Sequence, residues 1–301
     1  MHRASSLGHE TDSTTRDGPG AVTGRPAPRL AVFSDLDGTL LDEHYRHDAA
    51  DPILERLRTA GIPLILTSSK TLAEMTRLRA ELAPGMPVIF ENGCGIATPT
   101  ADGGEAVERF GPDYASLRRT LAALTRDCAV DFRGFGDMSD EEVAERTGLD
   151  TESARLARAR EASEPGVIGG GEAAVQRLRA ALEDVGLRLV RGGRFHHVMP
   201  RADKADAMRT VAGRLRAAHP DLPLVTIAAG DSENDADMLA AADHAVVVRR
   251  ADGSWLDLAP RDHVLRSEAI GPAGWAECLG GLLDRFEADQ RAARTAGETA
   301  G

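Results

Sequence analysis

The chain has 301 residues, enough to bury the core of one large domain or two ordinary ones without a disulfide or metal staple. Its formal net charge of -12, with no clustered run of cations, excludes a protein built to hold a nucleic-acid backbone or an anionic membrane. Cys94, Cys128 and Cys278 never form a C-x-x-C pair, which argues against a disulfide framework or a zinc site and fits a reducing cytoplasm.

Residues 1–28 are rich in Ser, Thr, Gly and Pro and carry no apolar stretch, so they read as a disordered leader rather than a signal peptide. No segment reaches membrane-spanning length. From Arg29 the pattern alternates: a strand at Leu30–Ser34, the helix "DPILERLRTAG", the strand "IPLILTS", the helix "TLAEMTRLRAEL" and the strand "PVIFENG". Such alternation predicts an α/β fold with a parallel sheet covered on both faces. From about Thr98 the rhythm changes. The helical stretches "DYASLRRTLAALTRD" and "EAAVQRLRAALEDVG" are interleaved with the more polar strands "AVDFRGF", "LRLVRGG" and "RFHHVMP", which predicts a separate α+β module with a largely antiparallel sheet. The first rhythm returns in "KADAMRTVAGRLRAAH", "LVTIAAG", "ENDADMLAAA" and "HAVVV". The expected organisation is therefore a core domain of residues 29–97 and 200–286, interrupted by an inserted domain at 98–199, with a disordered tail at 287–301.

An open parallel sheet binds ligands at the carboxyl ends of its strands. Asp35 and Asp37 lie at one such end, Thr67, Ser68 and Ser69 at a second, and Asp231 to Asp235 at a third. Carboxylates gathered there raise one another's pKa unless a cation intervenes, and an all-oxygen set without His or Cys selects Mg²⁺ over zinc. The cluster reads as a metal-completed phosphate site. Asp35 suits a nucleophile that forms an aspartyl phosphate. Asp37 suits the acid that protonates the leaving alcohol and the base that then activates water. Gly38 offers no Cβ against the phosphate, and Thr39 can donate to its oxygens. Ser68 can supply a hydroxyl, in competition with Thr67 and Ser69, and Lys204 a cation. Lys204 is one of only two lysines in the chain, the other being Lys70.

"DLDGT", a strand-end hydroxyl, a single lysine and "GDSEND", in that order, resemble the four motifs of the haloacid dehalogenase superfamily of phosphatases. The insertion of about a hundred residues resembles the C2B-type cap of its Cof-like branch. "TSSKT", "IFENGCGI", "FRGFGDMS", "EASEP" and "GGRFHHVM" are similar, more narrowly, to the mannosyl-3-phosphoglycerate phosphatase family, over about Arg29 to Phe286. The resemblance implies Asp35 as nucleophile, Asp37 as acid/base, Ser68 as phosphate donor and Lys204 as the phosphate-orienting cation. It implies Asp35, the Asp37 carbonyl and Asp231 as Mg²⁺ ligands, with Asn234 and Asp235 in support. The lysine motif, often G-K-G in relatives, here reads Asp203-Lys204-Ala205.

The implied reaction is Mg²⁺-dependent hydrolysis of 2-O-mannosyl-3-phosphoglycerate to mannosylglycerate, a compatible solute, in the cytoplasm. The glucosyl analogue is a rival substrate. A phosphosugar mutase shares the core chemistry, and a non-catalytic phospho-ligand sensor is a third possibility that intact Asp35 and Asp37 argue against. The inserted domain should read the rest of the substrate, with Arg133 and Arg194 as candidates for its carboxylate. His196 and His197 face opposite ways on a strand, so at most one enters the cleft. Glu91 and Asn92, where cap meets core, are expected to bind sugar hydroxyls or to hold the hinge.

Overall fold

The computed structural model describes residues 28–192, 194–259 and 262–299; of the leader expected at 1–28, all but the last residue lies outside the described residues. Apolar runs with few polar interruptions, such as Leu30–Phe33, form strands buried on both faces. The chain runs β1 (Arg29–Ser34), α1 (Asp51–Thr59), β2 (Leu64–Thr67), α2 (Leu72–Leu82), β3 (Val88–Phe90), β4 (Gly95–Pro99) and β5 (Glu105–Arg109). It then enters the insertion: α3 (Tyr114–Asp127), β6 (Phe132–Gly134), α4 (Asp140–Thr147), α5 (Thr151–Arg158), β7 (Glu164–Ile168), α6 (Gly171–Asp184), β8 (Leu187–Gly192) and β9 (Phe195–Pro200). It returns through α7 (Lys204–Ala218), β10 (Leu224–Gly230), α8 (Ala236–Ala241), β11 (His244–Arg249), β12 (Val264–Ile270) and α9 (Gly271–Thr299).

Eight strands form one sheet in the order β12-β11-β10-β1-β2-β3-β4-β5, parallel from β12 to β3 and antiparallel thereafter. Side chains alternate across it. Leu30 and Val32 join Leu54, Met75 and Trp275 on the face covered by α1, α2 and α9, while Ala31 and Phe33 join Met208, Val211 and Leu239 beneath α7 and α8. The second sheet, β6-β7-β9-β8, is antiparallel throughout, and α3 and α6 pack on one of its faces around Leu117, Leu178 and Val198.

Two expectations need correction. The hairpin β4–β5 pairs onto β3, so residues 98–109, expected to open the insertion, belong to the larger sheet. The sequence "EAVER" hides this because β5 is an edge strand with a mostly exposed, charged pattern. At the other end, the residues from Glu287 onward, expected to fray into a disordered tail, continue α9 to Thr299. Their Ala, Arg, Glu and Gln content favours helix, and Glu287 is anchored by Arg56 at 2.8 Å. Among the described residues, no helix is long and apolar enough to cross a membrane.

Candidate active site

Because β10, β1, β2 and β3 run parallel, their carboxyl ends share one edge. There the chain presents Asp35 one residue past β1, Ser68 past β2, Glu91 past β3 and Asp231 past β10. Lys204, the first residue of α7, reaches across to them. Its Nζ donates to Asp35 Oδ1 at 2.6 Å and to Asp235 Oδ1 at 2.7 Å, and all three side chains are buried. The other oxygen of Asp235 accepts from the backbone N–H groups of Asp231, at 3.1 Å, and Ser232, at 3.0 Å. Asp231 Oδ1 accepts from the Thr39 hydroxyl at 3.2 Å. Gly38 is required twice over: its φ is +82°, and a Cβ there would lie 2.9 Å from Asp231 Oδ2.

Electrostatics makes this corner unbalanced. Asp35, Asp231 and Asp235 bring ligand oxygens within 4.8 Å of one another. Lys204 contacts only two of them. Burial, then the charge of Asp235, hold the Asp35 carboxyl well above its usual range in spite of Lys204. Burial and Asp235 likewise push Asp231 up to about 6. Burial works against the charge on Lys204, but Asp235 and Asp35 outweigh it and keep the ammonium protonated. A hard divalent cation would relieve the excess charge, and the all-oxygen donors suit one. Asp35 and Asp231 are the carboxylates free to ligate it. Both oxygens of Asp235 are already engaged, so that residue fits a supporting role.

Asp37 is set apart from this cluster. Its side chain is 45% exposed and meets Lys70 Nζ at 2.9 Å. Asp35 and Asp37 line a cavity of about 200 Å³ together with Ser69, Asn92, Asn234 and His197. Asn234 Nδ2 donates to Asn92 Oδ1 at 2.9 Å, joining two of the expected substrate residues to each other. Ser68 is buried, and its Oγ accepts from the Lys70 N–H at 3.2 Å, while the neighbouring Thr67 hydroxyl is buried with no hydrogen-bond partner. Of the histidine pair, His197 faces the cavity. Burial and the nearby Arg160 push it down to about 3, so it is a neutral hydrogen-bonding group at physiological pH.

Three expected substrate residues have other partners. Arg133 is paired with Glu142, and Arg194 donates to the Thr147 carbonyl at 2.6 Å; neither lines the cavity, because each guanidinium finds its acceptor within the inserted module. Glu91 is fully buried. Its carboxylate accepts from Glu161 N at 2.7 Å, Ala162 N at 3.2 Å and Ser163 Oγ at 2.5 Å, which makes it a clasp between core and insertion rather than a sugar ligand. Glu91, Asn92 and Gly93 all have positive φ. The sharp reversal they form brings Gly93 so close to α7 that a Cβ there would sit 2.1 Å from Asp203 O, which helps fix the start of the helix that carries Lys204.

Sequence reasoning did not find Lys70 as a partner of Asp37, nor the clasp of residues 160–163. The signal was thin: "TSSKT" placed a rare lysine two residues after Ser68, but nothing local tied it to Asp37.

Residues 32–110 match the haloacid dehalogenase-like hydrolase family, and residues 170–281 match sucrose-6F-phosphate phosphohydrolase. A glucosyl-3-phosphoglycerate/mannosyl-3-phosphoglycerate phosphatase from Methanococcoides burtonii is 35% identical over 266 residues, spanning 84% of this chain and 97% of that protein. Among solved structures, a haloalkanoate-superfamily phosphatase from Bacteroides thetaiotaomicron superposes with a TM-score of 0.63 at 19% identity, covering 90% of this chain and 99% of that one. The sucrose-phosphatase of Synechocystis, solved with sucrose and phosphate, gives 0.56 at 16% identity, covering 86% and 98%. These two share the fold. With a relative this similar over nearly its full length, the chain belongs to the mannosyl-3-phosphoglycerate phosphatase family of the haloacid dehalogenase superfamily and is a phosphoric monoester hydrolase.

Proposed function

We propose that the enzyme hydrolyses 2-O-mannosyl-3-phosphoglycerate to mannosylglycerate and phosphate, accepts the glucosyl analogue as a second substrate, and works with Mg²⁺. The observation that carries the chemistry is the buried Asp35–Lys204–Asp235 arrangement beside the half-exposed Asp37, two carboxylates in contrasting surroundings on one cavity. The choice of sugar–glycerate phosphates is supported by the Methanococcoides burtonii relative, whose name carries both sugars.

In this reading Asp35 attacks phosphorus, and the bond to the ester oxygen breaks as Asp37 delivers its proton there. Asp37 then takes a proton from the water that hydrolyses the aspartyl phosphate. Lys204 holds the Asp35 carboxylate in its attacking orientation and offsets phosphoryl charge, and Ser68 donates to a phosphoryl oxygen. Asp35, the Asp37 carbonyl and Asp231 would hold Mg²⁺, with Asp235 and Asn234 behind them; bound there, the ion supplies charge stabilisation on the phosphoryl oxygens. Thr39, held to Asp231, orders that ligand rather than meeting substrate. Ser69, Asn92 and neutral His197 offer hydrogen bonds to the sugar and glycerate hydroxyls.

Phosphate release from mannosyl-3-phosphoglycerate, glucosyl-3-phosphoglycerate and mannose 6-phosphate, measured side by side with Mg²⁺, tests the assignment. The two glycerate esters should turn over within about tenfold of each other, a difference of no more than about 1.4 kcal/mol. Faster turnover of mannose 6-phosphate than of either would reject it.

The metal reading has a signature in pH. A carboxylate with a raised folded-state pKa binds protons more tightly in the folded than in the unfolded chain, so its ionisation costs stability. For Asp231, at about 6, stability in EDTA should fall as pH rises from about 4 through about 6, by on the order of 2–3 kcal/mol. Mg²⁺ should restore it, so the rise in melting temperature on adding the ion should be larger at pH 7.5 than at pH 5. Equal rises at both would count against the carboxylate cluster as the binding site.

A further inference from the structure

We propose that Lys70 is a positioning residue: it sets the Asp37 carboxylate only while the inserted module is seated on the core, so that module closure aligns the acid/base group. The inference rests on the reading of Asp37 as that group. All but two of the 36 Lys and Arg side chains are arginine, and both lysines sit on active-site aspartates, Lys204 on Asp35 and Lys70 on Asp37. Among the described residues, Lys70 is the one cation paired with Asp37. The Lys70 side chain is only 10% exposed, and its Nζ lies 4.6 Å from the centre of the Tyr45 ring, which limits where the ammonium can go.

The residues on either side of Lys70 are both fastened to the inserted module. Arg160 Nη1 donates to the Ser69 carbonyl at 2.9 Å, and the Thr71 hydroxyl donates to the Leu156 carbonyl at 2.8 Å. The Lys70 carbonyl accepts from the Glu91 N–H at 2.9 Å, and Glu91 is the residue whose carboxylate clasps 161–163. Residues 156–163 of the module therefore hold the loop 69–71 from three directions. If the module lifts, the two hydrogen bonds flanking Lys70 and the clasp behind it are the contacts that part, and the loop is released. Lys70 occupies Oδ1 of Asp37, a residue that lines the cavity, and leaves Oδ2 without that ion pair.

In the first half-reaction the Asp35 oxygen bonds to phosphorus, the ester P–O bond breaks, and the Asp37 proton moves to the departing alkoxide; Lys70 keeps its own proton throughout. p-Nitrophenolate, a far weaker base, leaves without that proton. The ratio of kcat/KM for the sugar–glycerate phosphate to that for p-nitrophenyl phosphate, which reports steps up to the aspartyl phosphate, isolates the work of Asp37. Lys70→Met should lower the first by about 10²-fold, through kcat with KM within about threefold, and the second by less than about fivefold. Arg160→Met, which loosens the module's hold on the loop and leaves Lys70 in place, and Thr71→Val, which removes that hold together with the N-cap of α2, should each give the same selective loss at about tenfold. They keep the test open should Lys70→Met fail to fold, which a thermal melt reveals. Asp37→Asn is the reference. If it is selective while the Lys70, Thr71 and Arg160 variants lose both substrates equally or change only KM, the positioning role is overturned and the acid/base reading stands. If Asp37→Asn is itself unselective, both fall.

Discussion

Asp35→Asn should abolish phosphate release, by about 10⁴-fold or more, and at the same time raise the melting temperature in metal-free buffer by about 2–4 °C. The loss follows from removing the nucleophilic oxygen. The gain follows from the surroundings of Asp35: burial, then Asp235, Asp231 and Asp37, oppose its charge, and Lys204 offsets them only in part. An amide of the same shape removes one of three crowded carboxylates and leaves Lys204 paired with Asp235. Phosphate assays and thermal melts in EDTA measure the two effects on one preparation. A lower melting temperature for the variant would mean that the Asp35–Lys204 attraction outweighs the repulsion, and the unbalanced-cluster description would have to be abandoned.

Lys204→Met acts in the opposite direction on stability. Methionine fills nearly the same volume but leaves Asp35 and Asp235 buried without the cation that each contacts at 2.7 Å or less. Breaking a buried pair from one side typically costs about 3–5 kcal/mol, and here two carboxylates lose the same partner. Urea denaturation in EDTA should show a loss of that size, together with loss of activity. Adding Asp235→Asn should recover part of it, because the second change removes one of the stranded charges. A double variant no more stable than Lys204→Met alone would show that Asp235 is already balanced by the Asp231 and Ser232 N–H groups.

The clustering of the carboxylates was more legible in the sequence than the architecture around them. Asp35, Asp37, Asp231 and Asp235 were legible because each follows an apolar run that can only be a buried parallel strand, and such strands deliver their next residues to one edge. Strand β7 was not, because "EPGVI" contains Pro165 and Gly166, residues that ordinarily argue against a strand inside a sheet, and yet it lies between β6 and β9. Arg133 and Arg194 were plausible carboxylate readers by residue type alone. Glu142 and the Thr147 carbonyl, which engage them, lie elsewhere in the module, and no local pattern announces such pairs. The same limit hid the role of Lys70. Its partner is Asp37, on the loop after another strand, and the groups that brace it come from residues more than 80 positions away.

The position of the insertion has a consequence for how the enzyme is born. Strand β1 pairs with β2 on one side and β10 on the other, and the whole inserted module lies between β2 and β10 in the chain. During synthesis the module emerges complete, with its own apolar cluster around Leu117, Leu178 and Val198, while one edge of β1 still lacks its neighbour. Non-local strand pairing of this kind is slow to form, and the open edge is a place for unwanted association until β10 arrives. Asp35 is thus made early, but Lys204, Asp231 and Asp235 come from the chain that follows the insertion, so a nascent chain can present a finished inserted module before its carboxylate cluster is assembled.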